Sequence, residues 1–459
     1  MMGPRQVAQG ALFYEFSIED HVPSDHLLRS IDRFVDLGDK RRHLAPFYSS
    51  TGRPSVDPEL MIRMLIVGYA FGIRSERRLC EEIHLNLAYR WFCRLDLTDA
   101  VPDHSTFSKN RHGRFRDGDL FRHLFQSVVA RCIAEGLVGG QTFASDASLI
   151  RADANKQYAA PKAEWAPDRI DVQAAPRAVR EYLDVLVDAA FGAASEVQPK
   201  FTSYADPASQ WTGARKGPAF FAYSDNYLID TDHGVILDVE ATRSIRTAEV
   251  GATRTMIERT RDRFGLTPER LAADTAYGSG EMLGWLVGEG IEPHIPVFDK
   301  SARRVGTFSN AEFRYDPVAD AYTCPGGKTL KTYWRQMKTP RDGVSKDGFR
   351  RYYARQGDCA ACAFKESCCP NQPRRKIARH VQEAARDAAR RIATTDAYVD
   401  ASRRRKKVEM LFAHLKRILR LDRLRLRGPK GARDEFLLAA TAQNLRKLAK
   451  LIPGAPAPA

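Results

Sequence analysis

The order of apolar patterns between Ala219 and Phe298 constrains the fold more than any other feature. The stretch "AFFAYSDNYLIDTDHGVILDVEATRS" holds two β-rich runs divided by "DTDHG", whose Asp and Gly residues suit a hairpin turn. "TAEVGATRTMIERTRDRFGL" then reads as a helix, "RLAADTAYG" as a strand, "SGEMLGWLVGEG" as a helix and "IEPHIPVF" as a strand. Strands that alternate with helices after an opening hairpin predict a mixed α/β sheet. Upstream, "LVGGQTFASDASLIRADA" gives a turn at Gly139 and Gly140 and then a short strand ending near Asp146.

The region before this sheet is helical in pattern. From Asp57 to Asp96 the apolar spacing predicts two or three short helices broken at Gly72, an arrangement compatible with a helix-turn-helix. "PDHSTFSKNRHGRF" offers Asp103 or Ser105 as an N-cap for a basic helix start. DNA binding and an ordinary capped helix both fit it. Ala159 to Gln210, rich in Ala, Pro and charge, reads as a surface excursion with one helical stretch around Val179 to Phe191. The strand–helix rhythm stops from Asp299 to about Arg391 and resumes with a helical stretch from Ala397. These shifts divide the chain into a helical amino-terminal domain (1–135), a first sheet segment (136–298), a cysteine-containing insertion (299–391), a carboxy-terminal helical segment (392–452) and a disordered tail (453–459).

Charge points to a polyanionic partner. The chain carries 72 Lys and Arg against 57 Asp and Glu, for a net charge of +15. Arg403 to Arg433 holds 13 of those cations and only two acids, Glu409 and Asp422. In "RRRKKVEMLFAHLKRILRLDRLRLRG" the residues Val408, Leu411, Phe412, Leu415, Ile418 and Leu419 recur at helical spacing, and Arg405, Glu409 and Lys416 fall near one stripe. The opening residues lack the apolar core of a signal peptide, and no run has the length of a membrane span, so a cytoplasmic protein is expected. Cys80, Cys93 and Cys132, scattered among helical patterns, fit buried free thiols of a reducing compartment.

Three acids stand out by position. Asp146 closes the first strand, Asp274 closes the strand after the first crossover helix, and Glu409 is expected to face inward from a late helix. Taken singly, each reads as a surface or capping residue. Together within ~4 Å they would repel by about 4 kcal/mol per pair at an effective dielectric near 20, so they would need a cation. Oxygen-only ligands suit Mg²⁺ or Mn²⁺, and such ions support attack on a phosphodiester.

The ordered set "FASDASLIRADA", "ADTAYGSGE" and "RRRKKVEMLFAHLKRILRLDRLRLRG", with the helical segment ending in "PDHSTFSKNRHGRF", resembles the DDE transposases of bacterial insertion sequences. The last motif is similar to the branch reading Tyr, two residues, Arg, three, Glu, six, Lys. Arg405, Glu409 and Lys416 fit that spacing, whereas Ser402 holds the tyrosine position and Tyr398 lies a turn earlier. The resemblance implies a ribonuclease H-like catalytic domain with Asp146, Asp274 and Glu409 as metal-binding catalytic acids and Mg²⁺ as cofactor. It also implies cleavage at terminal inverted repeats, transfer of the freed 3′-hydroxyl into target DNA, a homodimer in the synaptic complex and residence at the bacterial nucleoid. Arg404, Arg405, Lys406, Lys416, Arg420 and Arg423 are the expected DNA contacts, and Tyr277 is expected to pack beneath the site. A structure-selective nuclease on the same fold and a non-enzymatic DNA-binding protein of transposase origin are the alternatives.

The remaining motifs add one more site. Cys359 and Cys362 have the two-residue gap of a zinc knuckle, and Cys324 with Cys368 or Cys369 would complete a four-thiolate structural site, with Cys368 the preferred fourth ligand. Free or redox-active thiols are the other reading. His104, His294 and His414 read as packed or solvated rather than catalytic. No Walker-type phosphate loop and no serine-hydrolase elbow is present.

Overall fold

A computed structural model describes residues 16–452 apart from 53–54, 162–163, 189–190, 193–198, 214–216, 299–306, 336–342 and 346–347. The expected disordered tail at 453–459 lies outside the described residues. The chain falls into two compact units, one built from Met1–Gly139, Ala147–Gly265 and Lys407–Ala459, the other from Gly140–Asp146 and Leu266–Lys406.

The first unit joins helices to an antiparallel part of the sheet. Its amino-terminal region is helical, as the spacing predicts: Pro58–Ala70, Glu76–Leu85, Leu87–Phe92, Ser105–His112 and Leu120–Ala134. Asp57 caps the first of these by accepting from the Glu59 amide at 3.1 Å, with Pro58 at the position where a missing N–H costs nothing. Gly72, at φ +69°, follows the end of that helix and turns the chain toward the next, and a Cβ there would lie 2.8 Å from the Ile418 carbonyl. Strand β1 (Thr142–Arg151) enters this unit through its second half, in a sheet with β2 (Gln210–Gly213), β3 (Ala219–Asp230) and β4 (Ile236–Arg243), of which β3 is its neighbour. β3 pairs antiparallel with β2 (Trp211 with Phe221) and with β4 (Tyr227 with Val239).

The helix Pro429–Leu451 organises this unit. It packs against the helices Leu120–Ala134 and Pro58–Ala70 and against β4, and it is buried on nearly every face. Its polar residues satisfy backbone groups rather than water. Asn444 accepts from the Ile236 amide at 3.0 Å and donates to the Ile236 carbonyl at 2.8 Å. Gln443 donates to the Leu411 carbonyl at 2.8 Å and accepts from Tyr227 Oη at 3.0 Å.

The second unit is parallel where the first is antiparallel. The first half of β1 pairs with β5 (Arg270–Ala272), which pairs with β6 (Glu292–His294), so that Ala144, Ala272 and His294 lie side by side. The helix Gly280–Gly288 makes the crossover and packs on β6 and on the helix Glu383–Ile392. The cysteine segment forms its own small layer. Arg314–Asp316, Ala321–Thr323 and Thr329–Leu330 make one antiparallel sheet, and Phe349–Tyr353 pairs with Lys376–His380.

Three expectations require correction. β1 does not end near Asp146 but continues to Arg151, because its second half is held in pairing, with the Ala152 amide donating to the Phe221 carbonyl at 2.9 Å. The segment Ala159–Gln210 is not merely a surface excursion: Ala160, Tyr182, Asp206 and Ala208 are buried, and its helix is Arg177–Asp184. The helical rhythm also resumes earlier, at Glu383. Among the described residues no helix is long and apolar enough to cross a membrane.

Candidate active site

Asp146 lies within β1, and Asp274 lies two residues past the end of β5, the parallel neighbour of the first half of β1. Each lies two residues beyond the paired Ala144 and Ala272, and on β1 alternation puts the Asp146 side chain on the face of Ala144. Arg405 Nη1 stands 3.6 Å from Asp146 Oδ2, and the pair is partly open to water at 22% and 21% side-chain exposure. Asp274 is exposed and accepts from the Ala276 amide at 2.7 Å, capping the turn Thr275–Tyr277. Behind that turn Tyr277 is buried at 3% exposure. The Phe298 amide donates to the Gly278 carbonyl at 2.9 Å, which ties the end of the turn to the chain after β6.

A histidine completes the row. His294, beside Ala272 and 1% exposed, has Nε2 3.2 Å from Glu292 Oε2. Its ring stacks on Tyr398 with centroids 6.2 Å apart and planes inclined by 19°. Tyr398 and Arg405, seven residues apart on the helix Asp396–Arg417, thus reach His294 and Asp146 from one face. The sequence signal for this contact was the tyrosine one turn before Ser402.

Glu409 follows Arg405 by one turn on the same helix, within the first unit. The expectation that it faces inward is corrected, since Glu409 is exposed while Val408, Leu411, Phe412 and Leu415 are buried. Phe412 stacks on Tyr227 at 4.7 Å, and a carboxylate in that apolar contact would lose its hydration without repayment. Lys416 is half-buried. Burial pushes its ammonium pKa down, while Asp225 and Asp422 pull it up. Asp225, on β3, is fully buried, and burial pushes its carboxyl well above the usual range. Nothing in the sequence pairs these two residues, although a charged residue within "AFFAYSDNYLID" was a visible anomaly.

The other basic residues divide into paired and open positions. Arg404 bridges Asp400 at 2.8 Å, and Arg423 and Arg427 each reach Asp153 at 2.9 Å. Lys406 and Arg420 are exposed. His414 lies 3.2 Å from Gln443 Nε2 and burial lowers its pKa, whereas His104 is a half-buried neighbour of the exposed Asp103 at 3.4 Å. Cys324, Cys359, Cys362, Cys368 and Cys369 all line one small cavity in the second unit.

Among the described residues no group of three or more His, Cys, Asp or Glu is drawn together at the spacing of a metal's ligands. The donor set at Asp146 and Asp274 nevertheless suits a hard divalent cation in kind, because it is all carboxylate oxygen.

Comparison with known families places both ends of this arrangement. Residues 16–113 match a family described as "Transposase domain (DUF772)", and residues 323–449 match "Transposase DDE domain". Both segments match transposase families. The matches support a DDE-type transposase. The second match takes in the cysteine segment and Glu409 but neither Asp146 nor Asp274. No curated protein matches the chain.

Proposed function

We propose that the chain cuts DNA at the terminal inverted repeats of its element and joins the freed 3′-hydroxyl to target DNA, using a ribonuclease H-like catalytic domain interrupted by the cysteine segment. The observation that carries this reading is the parallel pairing of Ala144 with Ala272, each two residues before Asp146 and Asp274, with Arg405 against Asp146. Asp146, Asp274 and Glu409 are the residues that would hold Mg²⁺ or Mn²⁺. When bound, such an ion offsets the charge of the carboxylates, favours the deprotonated nucleophile and stabilises the leaving oxygen.

The chain's own residues then act on DNA. Arg405 keeps the Asp146 carboxylate oriented before substrate arrives. Arg404, Lys406, Arg420 and Arg423 line up cations for the phosphate backbone. Two of these already hold exposed ion pairs, to Asp400 and Asp153, worth at most about 1 kcal/mol each, so phosphate can displace the acids cheaply. Lys416, half-buried toward Asp225, acts over a shorter reach than its exposed neighbours. The amino-terminal helices recognise the element ends, and two copies bring two ends together near the nucleoid.

A strand-transfer assay with an element-end duplex and Mg²⁺ tests the reading. Joined product supports it. Cleavage without joining makes the chain a nuclease, and binding alone makes it a non-enzymatic DNA-binding protein.

A further inference from the structure

We propose that Cys324, Cys359, Cys362 and Cys369 bind one structural zinc ion, with Cys368 alongside as a buried free thiol. These sulfurs come from a tight turn (Cys324), a short helix and its end (Cys359 and Cys362) and the end of a second short helix (Cys369). They converge on a cavity of about 20 Å³. That volume admits one water-sized guest and no organic ligand.

Backbone N–H groups already point at the sulfurs. The Lys328 amide donates to Cys324 Sγ at 3.3 Å, and the Arg375 amide donates to Cys359 Sγ at 3.5 Å. Such bonds orient a thiolate and spread its charge, which is the supporting role around a metal ligand. The turn "CPGGK" is closed by hydrogen bonds from Gly327 N to Cys324 O at 2.8 Å and from Cys324 N to Lys328 O at 2.9 Å. Its backbone runs close to two sulfurs, for a Cβ on Gly326 would lie 3.5 Å from Cys362 Sγ and 3.7 Å from Cys324 Sγ. Lys328, Lys365 and Arg375 also line the cavity. Four thiolates on Zn²⁺ leave a net charge of about −2, which these cations offset.

The choice of Cys369 over Cys368 rests on contacts. Lys365 Nζ lies 3.5 Å from the Cys369 sulfur, so a cation already faces this thiol. The fold supplies the need for a cross-link. Strands of two to five residues surround a core of little more than Phe313, Tyr322, Leu330, Tyr352 and Ile377, and a layer this small gains little from apolar burial alone. Side-chain rotation must still draw the sulfurs to ~2.3 Å from a common centre. A closed four-thiolate site has no open position for chemistry, so this inference stands or falls independently of DNA cleavage.

The test uses the full chain purified without added metal. Elemental analysis is expected to find about one zinc per chain. Serine at position 324, 359, 362 or 369 should each lower that content at least about fivefold, while Cys368→Ser and Cys80→Ser should retain it. Because a serine variant can fail to fold, the unaltered chain is also exchanged with Co²⁺, which should give the intense visible bands of a tetrahedral tetrathiolate. Absence of zinc together with absence of those bands overturns the proposal. Zinc lost with Cys368 but kept without Cys369 overturns the ligand assignment.

Discussion

Replacing Gly278 by alanine asks whether the turn bearing Asp274 must stay where it is. A Cβ at this position would lie 2.0 Å from the Pro296 carbonyl oxygen and 2.7 Å from the Phe298 amide nitrogen, both backbone atoms that cannot rotate away. Non-bonded heavy atoms settle near 3.5 Å, so the turn and the segment after β6 must separate by roughly 1 Å or more. That movement stretches the bond from Phe298 N to Gly278 O and costs about 1–3 kcal/mol of stability. A misplacement of about 1 Å at a catalytic carboxylate is worth ~10²-fold in rate. Gly278→Ala should therefore cut single-turnover nicking of an element-end duplex by ~10²-fold while leaving DNA affinity unchanged, with thermal unfolding followed in parallel. Gly288→Ala is the control, since a Cβ there meets nothing within 4 Å and the residue ends a helix, where alanine is favoured. Wild-type cleavage by a folded Gly278→Ala protein would refute the claim that this turn positions Asp274.

Two further perturbations probe the first unit. Glu435, 1% exposed, accepts from the Arg425 and Leu426 amides at 2.7 and 2.6 Å and pairs with Arg74, so Glu435→Ala should cost about 3–5 kcal/mol in denaturant unfolding by stranding a buried guanidinium. A loss below about 1 kcal/mol would contradict that role. Burial pushes the His112 imidazole down to about 4 from its ordinary 6.5. The unfolded chain therefore takes up a proton first as pH falls, and stability should drop between pH 6.5 and about 4. The imidazole is only half-buried, so solvent screening limits the effect to about 1–2 kcal/mol. His112→Gln should flatten this limb of the stability profile, and an unchanged limb would assign it elsewhere.

The sequence made some of this legible because the signal was local. "DTDHG" carries its own turn chemistry, and β3 and β4 flank it as expected. Gly72 breaks the helical pattern where the backbone turns left-handed. What was hidden depended on partners distant in the chain. "SDAS" at 145–148 looks like a strand end, since nothing in it is apolar enough to demand pairing, yet β1 continues there because β3 lies beside it. The orientation of Glu409 was readable from its own helix, whose buried stripe is Val408, Leu411, Phe412 and Leu415. Glu409 falls outside that stripe and is exposed. "EFLLAATAQNL" has no polar stripe to mark an amphipathic face, and the reason is that the helix Pro429–Leu451 is covered on nearly all sides.

The central claim is that Asp274 is a metal ligand, and a change of metal preference reports on ligation itself. Asp274→Cys replaces a hard oxygen donor by a softer thiolate, which disfavours Mg²⁺ more than Mn²⁺. Single-turnover cleavage of an element-end duplex by this variant should be lost in Mg²⁺ and recovered in part in Mn²⁺, with DNA affinity unchanged in both. Equal cleavage in the two metals, or wild-type cleavage in Mg²⁺, would remove Asp274 from the metal site and contradict the account.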